Sequence, residues 1–286
     1  LARATDVDAV DGCFDRPELG MDLVEEAVAP DRQLQDPGQL VVLARDHARH
    51  QHDQVGRDGD LLAAGQQIAH GDAQPAVLTR HRWWRVLVDR HYDGLEAHFV
   101  HPVSDQAVIA GNATIGLEIL EDLPGVASVL VPYGGGGLSS GIAAALRAAG
   151  SNAPVFACEV ETATPLAASL AAQAPMSIEH RASFVDGIGG RSMLEEMWPL
   201  ASSLLAGACV VTLEEICDAI RSLVSRVRVV AEGAGATSLA AALAGRDAKG
   251  ARGANVPLPS GPIVCVISGG NIDPAKLATV LDGRVP

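Results

Sequence analysis

Four consecutive glycines, Gly134 to Gly137, follow a run that is apolar at five positions in six, Val126 to Val131, and lead into an Ala/Leu-rich stretch ending at Arg147. A buried strand, a glycine turn and a helix N-terminus in that order make an anion site. The first helical amides have no intrahelical acceptor, and glycines let a phosphate approach them with no Cβ in the way. Three other groups could do chemistry beside such a turn. Glu159 follows the apolar run PVFAC (Pro154 to Cys158), Glu232 opens the segment EGAGA, and Ser268 opens SGGN directly after Ile263–Ile267.

These residues need elements to hold them, and the pattern supplies them from about Gly94 onward. Apolar residues at helical spacing run from Ala107 to Leu120 and stop at Pro124-Gly125. The spacing predicts strands over Val126–Val131, Pro154–Cys158 and Ile263–Ile267, the second ended by Glu159 and Glu161. Helices are expected after the glycine turn, over Pro165–Ala174, after Glu232, and from Thr212 to about Val224, where T-x-x-E reads as a capping box. Lys249 to Ser260 reads as a Gly/Pro-rich surface loop. Strands alternating with helices through glycine turns predict an α/β fold: a parallel sheet flanked by helices.

Composition bounds the partners. Net charge is −14 over 286 residues, which argues against nucleic acid or an anionic membrane as a partner, though glycine amides can hold a small phosphate without Lys or Arg. No apolar run approaches the ~18 residues of a membrane span, and no secretory pattern opens the chain, so the expected location is cytoplasmic. The five cysteines, without C-x-x-C spacing, read as reduced thiols. The chain opens on Leu1, consistent with a fragment or a non-standard start.

Residues 1–93 differ in kind and are expected to form an atypical, poorly ordered part with no sustained strand or helix, with 94–286 as the ligand-binding α/β domain. Eight of nine histidines lie at or before His101, and the only lysines are Lys249 and Lys276. The spacing of His47, His50 and His52 converges on neither one helix face nor one strand face, so solvated side chains are expected rather than a metal site. Trp83 and Trp84, between Arg82 and Arg85, are expected to pack locally rather than stack on a base.

The glycine turn admits two ligands. Gly135-x-Gly137-x-x-x-Gly141 approximates a dinucleotide fingerprint, with Glu159 on a ribose hydroxyl. Pyridoxal phosphate is the other: its phosphate would sit in Gly134–Gly137 and its pyridine nitrogen would meet Ser268, which the dinucleotide reading leaves without a role. The chain resembles the threonine/serine dehydratases, with serine racemase, of the tryptophan-synthase-β-like fold (PLP-dependent fold type II). The residues that carry this are FVHP (Phe99 to Pro102), GNATIGLEIL (Gly111 to Leu120), VPYGGGGLSSGIA (Val131 to Ala143), CEVE (Cys158 to Glu161), FVDGIGG (Phe184 to Gly190), VVAEGAGA (Val229 to Ala236) and VISGGNID (Val266 to Asp273). They stand in family order and spacing over about Gly94 to Pro286.

The resemblance implies that Gly134, Gly135, Gly136, Gly137 and the amide of Leu138 bind the cofactor phosphate, that Ser268 meets the ring nitrogen, and that Glu232 lies near the ring. It implies an amino acid substrate, cytoplasmic amino acid metabolism as a lyase, and pairing as a homodimer. Some members hold a divalent cation where Glu159 and Ala163 stand, but Pro165 at the third ligand position has no side-chain oxygen. Ala113 replaces a usual glycine. The larger departure is that the S-F-K segment carrying the Schiff-base lysine, and the S-G-N-H loop, are both absent. Arg or His cannot replace a lysine amine there. The expectation is a chain impaired in, or without, dehydratase turnover; the alternatives are a non-catalytic phosphate or PLP binder and a dinucleotide-binding protein. An N-terminal third read from another frame or joined from elsewhere would account for the loss, and translating the underlying nucleotide sequence in six frames tests it.

Overall fold

The computed structural model describes Val41–Ala44, Val86, Asp89, Arg90 and residues 99–245, 248–250 and 255–286. The histidine and tryptophan readings above fall outside the described residues. The chain divides into two compact units, residues 1–45 with 102–286, and residues 46–101. All the candidate site residues belong to the first.

That unit is built on a seven-stranded sheet in the order β1-β7-β2-β3-β4-β5-β6. Its strands are β1 (Val41–Ala44), β2 (Ser128–Pro132), β3 (Val155–Val160), β4 (Gly207–Val211), β5 (Ala248–Lys249), β6 (Asn255–Val256) and β7 (Ile263–Ile267). The first five in spatial order are parallel, whereas β5 and β6 run antiparallel at one edge. The expected parallel sheet flanked by helices is therefore present, with a short antiparallel pair added at one edge. Lys249, expected in a loop, pairs with Ala208 of β4, because the open edge of β4 offers unpaired backbone groups to the returning chain. In the N-terminal third, the four residues Val41–Ala44 add to the edge of β7.

Helices cover both faces. On one side lie α1 (Gln106–Asp122), α2 (Gly137–Ala148), α3 (Pro165–Ala172) and α4 (Trp198–Leu204). On the other lie α5 (Leu213–Ser222), which runs on into a π turn, and α6 (Gly233–Ala244); α7 (Pro274–Leu281) ends the chain beside α5. Each inner strand sends alternate side chains to opposite faces. Val129, Val131, Val155, Ala157, Val264 and Val266 pack with α1–α4, while Leu130, Phe156, Cys158, Cys209, Cys265 and Ile267 pack with α5 and α6. Burial on both faces is why these strands are apolar nearly throughout. Cys158, Cys209, Cys217 and Cys265 are free and buried.

Local signals hold where their chemistry is local. Thr212 accepts from the Glu215 amide and Glu215 accepts from the Thr212 amide, at 3.2 and 2.8 Å, completing the expected capping box. Thr212→Ala is expected to cost about 1 kcal/mol, readable as a lower urea midpoint with an unchanged m-value. Gly116 shows what small residues do at the α1–α2 contact. A Cβ there would lie 2.8 Å from the Ile142 carbonyl oxygen, so the close approach of these helices requires glycine.

Candidate functional site

Parallel strands of an open α/β sheet gather ligands beyond their carboxyl ends. Here β2 and β7 are neighbours, with Leu130 opposite Cys265. The same offset carried to the strand ends sets Ser268 beside Tyr133, the residue before Gly134, at the strand spacing of about 4.8 Å. Two motifs far apart in the sequence thus meet at one rim.

Gly136 caps α2 with φ 98°, a left-handed conformation that favours glycine, and no side chain caps the helix. Gly137, Leu138 and Ser139 form the first turn, and their amides have no intrahelical acceptor. The Ser140 amide is the first to find one, the Gly136 carbonyl at 2.9 Å. The cradle is tightly backed. A Cβ on Gly135 would lie 2.6 Å from Val103 Cγ1, one on Gly137 2.5 Å from the Val103 carbonyl oxygen, and one on Gly136 3.0 Å from the Tyr133 hydroxyl. Tyr133 is itself buried and donates to Met193 Sδ at 3.0 Å. Burial, then the nearby Glu159, push its phenol well above the usual range, so it stays protonated.

The other wall is a chain of close contacts. Gly134 lies against the Gly187 carbonyl, 3.3 Å from where its Cβ would stand, and Gly187 lies against Ala234 and the Glu232 carboxyl. The Glu232 amide donates to the Gly269 carbonyl at 3.0 Å, and a Cβ on Gly269 would meet Glu232 Oε1 at 2.5 Å. Glu232, at the N-cap of α6, is thereby held between the DGIGG and SGGN loops. Burial, reinforced by Asp186, raises its carboxyl pKa. Ser268 is exposed at the end of β7. Lys276 in the first turn of α7 lies 3.7 Å from Asp186 Oδ2 as a half-exposed ion pair.

The residues present fit a phosphate ester with an aromatic ring. The glycines are required by the protein that backs the turn, since a Cβ on Gly135, Gly136 or Gly137 would strike Val103 or Tyr133; the amides of the first turn of α2 lack intrahelical acceptors, and a polar rim stands at the adjoining strand end. Sequence reasoning missed Val103 and Tyr133 as the backing of the cradle, since nothing in their spacing links them to it.

Glu159 is placed differently from its expected position. It lies inside β3, fully buried, rather than just beyond the strand's end. Its side chain faces α3, where Oε1 accepts from the Leu166 amide at 2.8 Å and Oε2 from the Ala167 amide at 2.9 Å. Burial raises its pKa to about 8, with the two amides acting the other way. A ribose hydroxyl has no approach to such a carboxyl, which leaves the dinucleotide reading without its acid. A divalent cation does not fit either. Both carboxylate oxygens hold helix amides, Pro165 is the first residue of α3, and among the described residues no group of three or more His, Cys, Asp or Glu could hold a metal ion.

Comparison with known proteins agrees with this geometry. A family model described as "Pyridoxal-phosphate dependent enzyme" matches residues 71–269, so the likeness begins upstream of Gly94 and includes part of the N-terminal third. L-threonine ammonia-lyase of Thermotoga maritima is 41% identical over 177 residues, 62% of this chain and 42% of that protein. The enzyme of that name from Geobacter sulfurreducens is 39% identical over 186 residues, 65% of this chain and 44% of that protein. Among solved structures, maize serine racemase superposes with a TM-score of 0.57 at 30% identity, over 65% of this chain and 57% of its own. A threonine deaminase from T.th. superposes with a TM-score of 0.54 at 34% identity, over 61% of this chain and 62% of its own. The chain spans less than half the length of the two ammonia-lyases it matches.

Proposed function

The chain belongs to the pyridoxal-phosphate dependent enzymes, and from that premise we propose that it carries the cofactor-holding part of a serine/threonine dehydratase without its Schiff-base lysine. The observation that supports this most is the meeting of the Gly134–Gly137 cradle with the SGGN turn at adjoining strand ends. In this reading the amides of Gly134 to Leu138 hold the phosphate. The Ser268 hydroxyl hydrogen-bonds the pyridine nitrogen, and Glu232, its carboxyl made harder to ionise by burial, stands near the ring. When bound, the cofactor supplies an electron sink at the amino acid Cα, which in a complete dehydratase lets the α-proton and β-hydroxyl leave and yields a 2-oxo acid and ammonia. A neutral hydroxyl at the ring nitrogen, instead of a carboxylate, tempers that sink.

Turnover needs an amine that attacks the cofactor aldehyde and then moves the proton at Cα. Neither lysine stands in the early segment where the family carries it: Lys249 lies on β5, beyond β4, and Lys276, on α7, pairs with Asp186. The reading is therefore of a chain that binds PLP but turns over serine or threonine poorly or not at all. A cytoplasmic setting, an amino acid ligand and pairing as dimers are proposals of the same standing, resting on the relatives. Among the described residues no helix is long and apolar enough to cross a membrane.

Incubating the purified chain with PLP, reducing with borohydride and mapping peptides tests this. The expected result is saturable PLP binding, competed by inorganic phosphate, with both lysines unmodified and no 2-oxo acid formed from serine or threonine. A stoichiometric label on either lysine together with turnover would overturn the missing-amine reading. Absence of PLP binding would overturn the cofactor reading.

A further inference from the structure

Two acids stand beside the cradle in unlike settings. Asp186, in the DGIGG loop, is exposed, with Oδ2 3.7 Å from Lys276 Nζ of α7. Glu232 is half-buried between that loop and the SGGN turn, where Cβ positions on Gly187 and Gly269 lie 3.6 and 2.5 Å from its Oε1. Gly187 follows Asp186 directly, so the two acids belong to segments packed on each other.

Lys276 has no reason within its own helix to stand where it does. A cation in a first turn opposes the helix dipole. That turn of α7 holds no acid, and the N-cap Asp273 is committed to the Ala275 amide at 2.7 Å. The ammonium instead meets Asp186, on a loop far off in sequence. An exposed pair adds little to folding stability, whereas a charge fixed beside a half-buried carboxyl acts on its proton. Among the described residues packed around Glu232, the SGGN turn and the first turn of α6 carry no ionisable side chain, Tyr133 keeps its proton, and Asp273 and Lys276 are engaged as above. Asp186 remains, and after burial it is the charge of Asp186 that raises the Glu232 pKa.

We infer that Asp186 is a positioning residue for Glu232: held by Lys276, it stands as a fixed anion that leaves the proton of the pair on the Glu232 carboxyl. The consequence for a ligand rests on the proposed cofactor site, where a protonated Glu232 keeps a further negative charge away from an anionic ester.

The test has two arms, both on the full chain. In the first, without ligand, glutamate labelled at the carboxyl carbon is titrated by NMR, and the Glu232 signal is identified by its loss in Glu232→Gln. Asp186→Asn is expected to lower the Glu232 midpoint. Lys276→Met breaks the same ion pair but leaves the anion, and is expected not to lower it. An unmoved midpoint in Asp186→Asn would overturn the inference. So would an equal fall in Lys276→Met, which would assign the effect to a loosened loop. In the second arm PLP affinity is measured against pH. Affinity is expected to fall as Glu232 ionises; the fall moves to lower pH in Asp186→Asn and is lost in Glu232→Gln. The same pH profile in all three chains would remove both acids from the ligand site and overturn the role given to Asp186 there. A lowered midpoint in Asp186→Asn with no PLP binding by the parent chain would keep the carboxyl pair and overturn the pyridoxal reading.

Discussion

Gly137→Val is expected to abolish PLP binding in the micromolar range and to destabilise the chain. The Cβ would stand 2.5 Å from the Val103 carbonyl oxygen, and that oxygen belongs to backbone, so it cannot swing aside as a side chain would. Either the segment before α1 or the first turn of α2 must move, at an overpacking cost of roughly 1–3 kcal/mol. The second consequence is larger. Amides that hold a phosphate act only from a fixed geometry, and each such charge-assisted bond is worth about 1.5–3 kcal/mol, so losing two weakens binding about 100-fold or more. Gly125→Ala is the matched control, since a Cβ there meets nothing within 4 Å. Equilibrium dialysis against PLP and a melting curve check both halves of the expectation. Tight binding by Gly137→Val would mean that the phosphate lies elsewhere.

The second large effect belongs to Glu159. Glu159→Ala strips the acceptor from two amides in the first turn of α3 and leaves a void between β3 and that helix. Buried unsatisfied donors cost about 1–3 kcal/mol each, so a loss of several kcal/mol is expected. The pH dependence has a definite sign. This carboxyl titrates at 4.5 when exposed and at about 8 in the folded chain. Between those values the folded chain holds the proton that the unfolded chain has released. Stability therefore falls as pH rises from 4.5 toward 8. Glu159→Gln removes that part of the slope, while turning an amide donor toward the Ala167 N–H and lowering stability at acid pH. Urea unfolding across this range reads both. A slope unchanged in Glu159→Gln would place the titrating group elsewhere. The same carboxyl also bears on cations: with its oxygens committed to α3, adding magnesium or calcium should leave the melting temperature unmoved.

The features legible in the residues alone are those whose causes are local. The turn at Gly134–Gly137 needs an unhindered left-handed residue between a buried strand and a helix. The Thr212–Glu215 box satisfies its own amides within a single helical turn. The apolar run before Ser268 marks a strand and its end. Those pieces, in their order along the chain, were enough to indicate an α/β sheet and a phosphate-holding turn. The parts decided only by the tertiary structure rest on contacts between distant segments. Gly207 and Ala208 are poor strand formers taken singly, yet β4 exists because β3 offers it a ladder and the helices on both sides bury it. Ala248–Lys249 becomes a strand for the same reason, as the edge of β4 is otherwise unpaired. Glu159 looked like a strand-end acid until the fold set α3 against its face of β3 and gave its oxygens two amides. Ser268 and Gly134 meet because β2 and β7 are neighbours, a fact of strand order that spacing along one chain does not contain, since strand pairing is settled by which buried faces and backbone edges fit together in space.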